Sequence, residues 1–139
     1  MKKYGVMIVG TGWVSGEHIR AFEMTGQAQV TAIVSRSRER GEAKKREYGL
    51  DDRCTVYTDY AEGLKDPSVD IVVICTPNDM HCEQTILAAE AGKHILIEKP
   101  VLSPGKIPCA WTRPYARPAS KRWWAMCSTT IPSSSPQKI

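Results

Sequence analysis

The chain has 139 residues, 42% of them hydrophobic and 24% charged, which is room for one ordinary globular domain with its own core. No apolar run approaches the ~20 residues that span a bilayer, and the stretch behind Met1-Lys2-Lys3-Tyr4 is too short for a signal-peptide core. A cytoplasmic protein without a membrane partner is therefore expected. The net charge of +4 is unevenly laid, because every Asp and Glu lies at or before Glu98, and a mildly acidic front followed by a purely basic tail marks a boundary.

The first element is a short, nearly continuous apolar run from Tyr4 to Val9, as expected of a strand covered by helices on both faces of a parallel sheet. Val14, Ile19, Ala21 and Phe22 then give one buried face to a helix over 14–24, which Gly26 would stop. A second strand is predicted over 30–34. The charged, helix-forming stretch 37–48 is predicted to lie mostly in solvent and to end at Gly49.

A short third strand over 54–57 and one or two helical turns over 60–65 precede Asp66-Pro67. Residues 69–75 carry the strongest strand signal in the chain and are expected at the centre of the sheet. Asn78 and Asp79 offer capping side chains for a helix over 82–91, which Gly92 stops before a fifth strand over 94–98. Strands alternating with helices in this way predict an α/β fold, a Rossmann-type parallel sheet with helices on both faces. The five cysteines show neither a disulfide framework nor zinc-ligand spacing and are read as reduced thiols, with no metal site.

Gly10-Thr11-Gly12-Trp13-Val14-Ser15 falls between the first strand and the first helix, where a G-x-G-x-x-G/A turn binds a pyrophosphate. Gly10 permits the tight turn, Gly12 lets the backbone approach the phosphates, and a small third residue lets helix and strand pack closely. Ser15 departs slightly from the pattern. Taken alone such a turn also serves flavins, S-adenosylmethionine or plain chain reversal. An NAD enzyme would usually offer a carboxylate to the ribose 2′-hydroxyl at the end of the second strand, but the chain reads Ser35-Arg36-Ser37-Arg38. A hydroxyl and a guanidinium suit a 2′-phosphate, so NADP(H) is expected over NAD(H). Arg38 reads equally well as a solvated surface charge.

Thr76-Pro77-Asn78 with His81, followed by Ala91-Gly92-Lys93-His94-Ile95-Leu96-Ile97-Glu98-Lys99-Pro100, resembles the glucose-fructose oxidoreductase/inositol dehydrogenase/MocA family. The resemblance takes in Gly10-Thr11-Gly12 and His18, and so covers about residues 4–101. It implies that Thr76, Pro77 and Asn78 line the cofactor cleft with His81 nearby, that Glu98 lies beside the nicotinamide ribose, and that Lys99 touches the reacting hydroxyl or carbonyl of the substrate. Hydride transfer from a carbinol requires its proton to be drawn away, and an ammonium at a strand end can polarise that oxygen and move the proton. Lys99 is thus the expected catalytic residue, while His18 and His94 are given no catalytic role.

Residues 1–101 are accordingly expected to form an NAD(P)-binding Rossmann domain truncated after its fifth strand, and 102–139 an irregular tail. The tail has six basic side chains, no acid, prolines that forbid a long helix, and tryptophans without periodicity. No fold signal accompanies its basic and aromatic residues, so no nucleic-acid partner is expected. The genetic code offers another account. If each codon takes the third base of one codon and the first two of the next, Trp111-Thr112 gives Asp, Trp123-Trp124 gives Val, Trp124-Ala125 gives Gly and Met126-Cys127 gives Val. With permissive choices elsewhere, the shifted frame encodes an amphipathic helix, a glycine stop and an apolar strand, which is the unit a Rossmann sheet needs next. A one-base frame slip shortly after Pro100 is therefore expected.

The resemblance also implies a second, substrate-binding α/β domain, for which residues 102–139 have neither the length nor the pattern, so substrate contacts are expected only in the full-length parent. Two readings of function follow: the cofactor half of an oxidoreductase acting on a sugar, polyol or related hydroxyl compound, or a stand-alone dinucleotide-binding sensor or partner module without catalysis.

Overall fold

The computed structural model describes residues 3–50 and 52–99, so the expectations for Pro100, the tail and its reading frame lie outside the described residues. Five strands alternate with four helices: β1 (Tyr4–Val9), α1 (Trp13–Met24), β2 (Ala28–Val34), α2 (Arg38–Glu47), β3 (Thr55–Tyr57), α3 (Tyr60–Leu64), β4 (Ile71–Ile74), α4 (Asn78–Glu90) and β5 (His94–Ile97). All four strand pairings are parallel, in the order β3-β2-β1-β4-β5.

The central strand is β1, which corrects the expectation that the fourth strand holds that place. An unbroken apolar run reports burial on both faces, and β1 and β4 share that property. Their order is set by the crossovers: the chain steps outward from β1 to β2 and β3, then returns across β1 to lay down β4 and β5. The reversal between β1 and β4 opens a crevice at the carboxyl ends of the strands, the place where open α/β sheets bind ligands.

The sheet divides two apolar layers. Val6, Ile8, Val30, Ile33 and Val73 pack with Ile19 of α1 and with Leu50, whereas Met7, Val9, Ala32, Val34, Val72 and Ile74 pack with Leu64 of α3 and Ala88 of α4. Val30 and Ile33 share a face although strict alternation would separate them. The register explains it: Val6 pairs with Val30 and Met7 with Ala32, so Thr31 is an extra residue in β2. The Val30 N–H donates to Glu23 Oε1 at 2.8 Å, and Arg53 Nη2 holds Glu23 Oε2 at 2.7 Å.

The helix α4 begins one turn earlier than expected, directly after Pro77, and takes no side-chain cap. Proline's fixed φ suits a helix start, so Asn78 and Asp79 enter the first turn, where Asp79 meets the positive end of the helix dipole. The charged α2 behaves as its composition predicts: Gly41 alone is buried, and it lies so close to Val56 of β3 that a Cβ would collide with that side chain.

Candidate functional site

The Gly10 turn opens the crevice. Gly10 has φ +104°, donates its N–H to Val34 O at 2.9 Å, and approaches β4 so closely that a Cβ would lie 3.0 Å from Cys75 O. Gly12 is the N-cap of α1 and has nothing within 4 Å of where a Cβ would stand. With no side-chain cap and no acid in its first turn, α1 directs its leading backbone N–H groups into that space. Turn, open space and helix terminus fit a pyrophosphate, which would take its hydrogen bonds from those backbone groups.

Ser15 is fully buried and its hydroxyl donates to Gly12 O at 2.5 Å, which satisfies a polar group where the motif usually has glycine or alanine. The close packing moves one residue on, to Gly16, where a Cβ would collide with the Tyr48 hydroxyl.

The cleft beside this turn is open and about 970 Å³ in volume, and it is bounded by the ends of β1, β2 and β4 and by one side of α2. On the β2 side, buried Ser35 accepts the Ser37 N–H at 3.4 Å, and Ser37 in turn caps α2 through the Arg40 N–H at 3.4 Å. These bonds leave the Ser35 hydroxyl proton free to face the cleft. Arg36 also lines it, joined from α2 by Arg40 and Lys44. Lys44 is paired with Glu47 at 3.5 Å, while among the described residues neither Arg36 nor Arg40 has a carboxylate partner. Arg38 does not line the cleft. Arg40 and Lys44 were not singled out by sequence reasoning, although their spacing of four in a helix places both on one face.

On the β4 side, Cys75, Thr76 and Pro77 line the cleft. Burial, with the Glu98 carboxylate adding to it, pushes the Cys75 thiol up to about 12, so it remains a neutral thiol near neutral pH. The Thr76 hydroxyl donates to Gln84 Oε1 at 2.5 Å, and His81 Nε2 donates to the Thr76 carbonyl at 2.7 Å. His81 is 1% exposed and its Nδ1 has no hydrogen-bond partner among the described residues, so the neutral Nε2–H tautomer fits this setting. His81 therefore sits behind the cleft wall and holds its backbone.

The cleft thus gathers Gly10, Thr11, Gly12, Ser35, Arg36, Thr76 and Pro77. Trp13, 80% exposed, and Val14 begin α1 outside the lining, and exposed Asn78 begins α4. Glu98 follows β5 and pairs with His18, Nε2 to Oε1 at 2.5 Å, and exposed Lys99 comes next. Among the described residues no helix is long and apolar enough to cross a membrane, and no group of His, Cys, Asp and Glu could hold a metal ion.

Comparison with known proteins agrees with this geometry. Residues 4–108 match the glucose-fructose oxidoreductase/inositol dehydrogenase/MocA family, described as an oxidoreductase family with an NAD-binding Rossmann fold. The chain belongs to this family. It is 39% identical over 97 residues to the 1,5-anhydro-D-fructose reductase of Ensifer adhaerens, covering 70% of this chain and 27% of that protein. It is 34% identical over 96 residues to the scyllo-inositol 2-dehydrogenase (NADP(+)) of Bacillus subtilis, covering 69% of this chain and 28% of that one. The myo-inositol dehydrogenase of Lactobacillus casei, solved in complex with NAD(H) and myo-inositol, superposes with a TM-score of 0.67 at 29% identity, over 72% of this chain and 29% of that one. The chain thus spans a little over a quarter of the length of each of these relatives.

Proposed function

We propose that this chain is the cofactor-holding part of an NAD(P)-dependent oxidoreductase that acts on the hydroxyl group of a sugar, polyol or related compound, and that it prefers NADP(H). The observation that carries the reading is the cleft that holds the Gly10 turn, the bare N-terminus of α1 and two arginines, Arg36 and Arg40, that have no carboxylate partner among the described residues. The backbone N–H groups of the turn hold the pyrophosphate. Ser35, Arg36 and Arg40, at the end of β2 and the start of α2, take the 2′-phosphate, since among the described residues neither arginine is held by a carboxylate. Thr76 and Pro77, held from behind by Gln84 and His81, close the opposite wall.

A bound nicotinamide supplies or accepts the hydride. Lys99, two residues beyond β5, draws the proton from the reacting hydroxyl or returns it to the carbonyl. Its exposure suits a group that meets a substrate held by further protein. The names of the relatives, a reductase of an anhydro sugar and dehydrogenases of inositols, support this substrate class.

Titration of the chain with NADPH and NADH tests the cofactor reading. Binding of NADPH at least about tenfold tighter is expected, with Arg36→Ala and Arg40→Ala each lowering NADPH affinity by about tenfold and leaving NADH nearly unchanged. Equal dissociation constants would refute the NADP(H) preference, and binding of neither would refute the cofactor reading.

We also propose that the sequence after about residue 101 is out of frame. The family match ends at residue 108, inside the region where acids vanish and tryptophans appear, and the relatives continue well beyond it. Sequencing the coding DNA from codon 95 past the stop tests this, since a second frame that continues through a long α/β sequence is expected. In the protein that frame encodes, Lys99→Met should lower kcat by about 10²- to 10⁴-fold while dinucleotide affinity holds.

A further inference from the structure

His18 stands on α1 a turn and a half beyond Gly12, and Glu98 is the residue after β5, so their contact at 2.5 Å closes a gap of 80 positions in sequence. Four of the five Lys or Arg ion pairs among the described residues are i,i+3 pairs on helix surfaces, and the fifth, Arg53 with Glu23, braces the bulge in β2. The His18–Glu98 contact belongs to neither kind. It runs from the helix that follows β1 to the end of β5, and β4 lies between those two strands in the sheet. It therefore passes over the carboxyl end of β4, where Cys75 lines the cleft and feels the Glu98 charge.

The position of Glu98 needs such a support. Among the described residues the strand β5 pairs only with β4, and at its end the Glu98 N–H donates to Ile74 O at 3.0 Å. A strand end with a neighbour on one side opens more readily than the middle of a sheet. The side-chain bond to His18 ties it to α1, whose first turn is fixed by the Gly10 turn and by buried Ser15.

The two sides of the cleft differ in what they can receive. A dinucleotide lies across the switch point with its pyrophosphate at the glycine turn, so its two ribose halves fall on opposite sides of β1. The basic side chains stand beside β2, which leaves the β4 and β5 side for the nicotinamide half. We propose that His18 is a positioning residue for that half: its bond to Glu98 fixes the end of β5, from which Glu98 and Lys99 follow, next to the Cys75 wall of the cleft. The proposal rests on the cofactor reading above.

The test uses the full 139-residue chain and two ligands measured by calorimetric titration. One is whichever of NADPH and NADH binds more tightly, and the other is its matching adenosine half, adenosine 2′,5′-bisphosphate or ADP. His18→Ala should weaken the whole dinucleotide by about tenfold and change the adenosine half by less than about twofold, since that half never reaches Glu98. His18→Gln, whose amide can still donate to the carboxylate, should recover most of the loss. Equal weakening of both ligands, or no weakening of either, overturns the role of His18. A wild-type chain that binds neither ligand overturns the cofactor reading itself, and the role falls with it.

Discussion

The two walls of the cleft are built on opposite plans. On the β2 side, Arg36 and Arg40 are exposed side chains with no carboxylate partner among the described residues. On the β4 side, Thr76 is bonded to Gln84 through its hydroxyl and to buried His81 through its carbonyl, and the Tyr60 hydroxyl adds a bond to Gln84 O at 2.7 Å. One wall keeps its bonding capacity for a ligand, and the other has used it to fix a shape. Substitutions on the first should therefore act on affinity and those on the second on stability.

Gly10 joins the walls, so its loss should have the largest effect. Gly10→Ala forces a side chain into φ +104° and crowds Cys75 O, and is expected to cost about 1–3 kcal/mol and to abolish dinucleotide binding. Urea denaturation and titration with NADPH would check both. A variant that binds normally would separate the glycine from the phosphate site.

Next comes the buried wall. His81→Leu leaves the Thr76 carbonyl without its donor and should destabilise the chain by about 1–3 kcal/mol, whereas His81→Gln, which retains a donor at a similar reach, should lose less than half of that. Equal losses would mean that packing matters there and the hydrogen bond does not.

The effect that is smallest near neutral pH is a dependence on pH. Burial pushes the thiols of Cys54 and Cys75 from an ordinary 9.0 up to about 12 in the folded chain. Between those values the unfolded chain loses the protons first, so stability is full below about pH 9 and falls as pH rises toward 12. The double variant Cys54→Ala and Cys75→Ala should flatten that fall in denaturation curves taken across the interval. An unchanged slope would assign it to Tyr57 and Tyr60, whose hydroxyls burial also pushes up.

What the sequence disclosed depended on distance along the chain. Short apolar runs located all five strands, because a strand covered on both faces has little room for a charge. The Gly10 turn and the Ser35-Arg36 pair were legible for the same local reason. The place of β4 beside β1 was not, since burial does not encode order. The bond from His18 to Glu98 was out of reach too, because no periodicity links a helix position to a strand end 80 residues away. Arg40 and Lys44 were within reach, through their spacing of four on a helix that begins at the cleft, but a uniformly charged helix hid them among solvated neighbours.

The extra residue at Thr31 bears on how such a chain could change. Beyond it the side chains of β2 face as their partners in β1 dictate, Met7 with Ala32 and Val9 with Val34, so the extra residue is absorbed before buried Ser35 and exposed Arg36 are reached. Loss of the Thr31 codon would remove the bulge and leave both facings as they are. Counting residues from the glycine turn would then misplace the pair by one, so inferring cofactor choice from related chains requires matching strand register before comparing residue kinds.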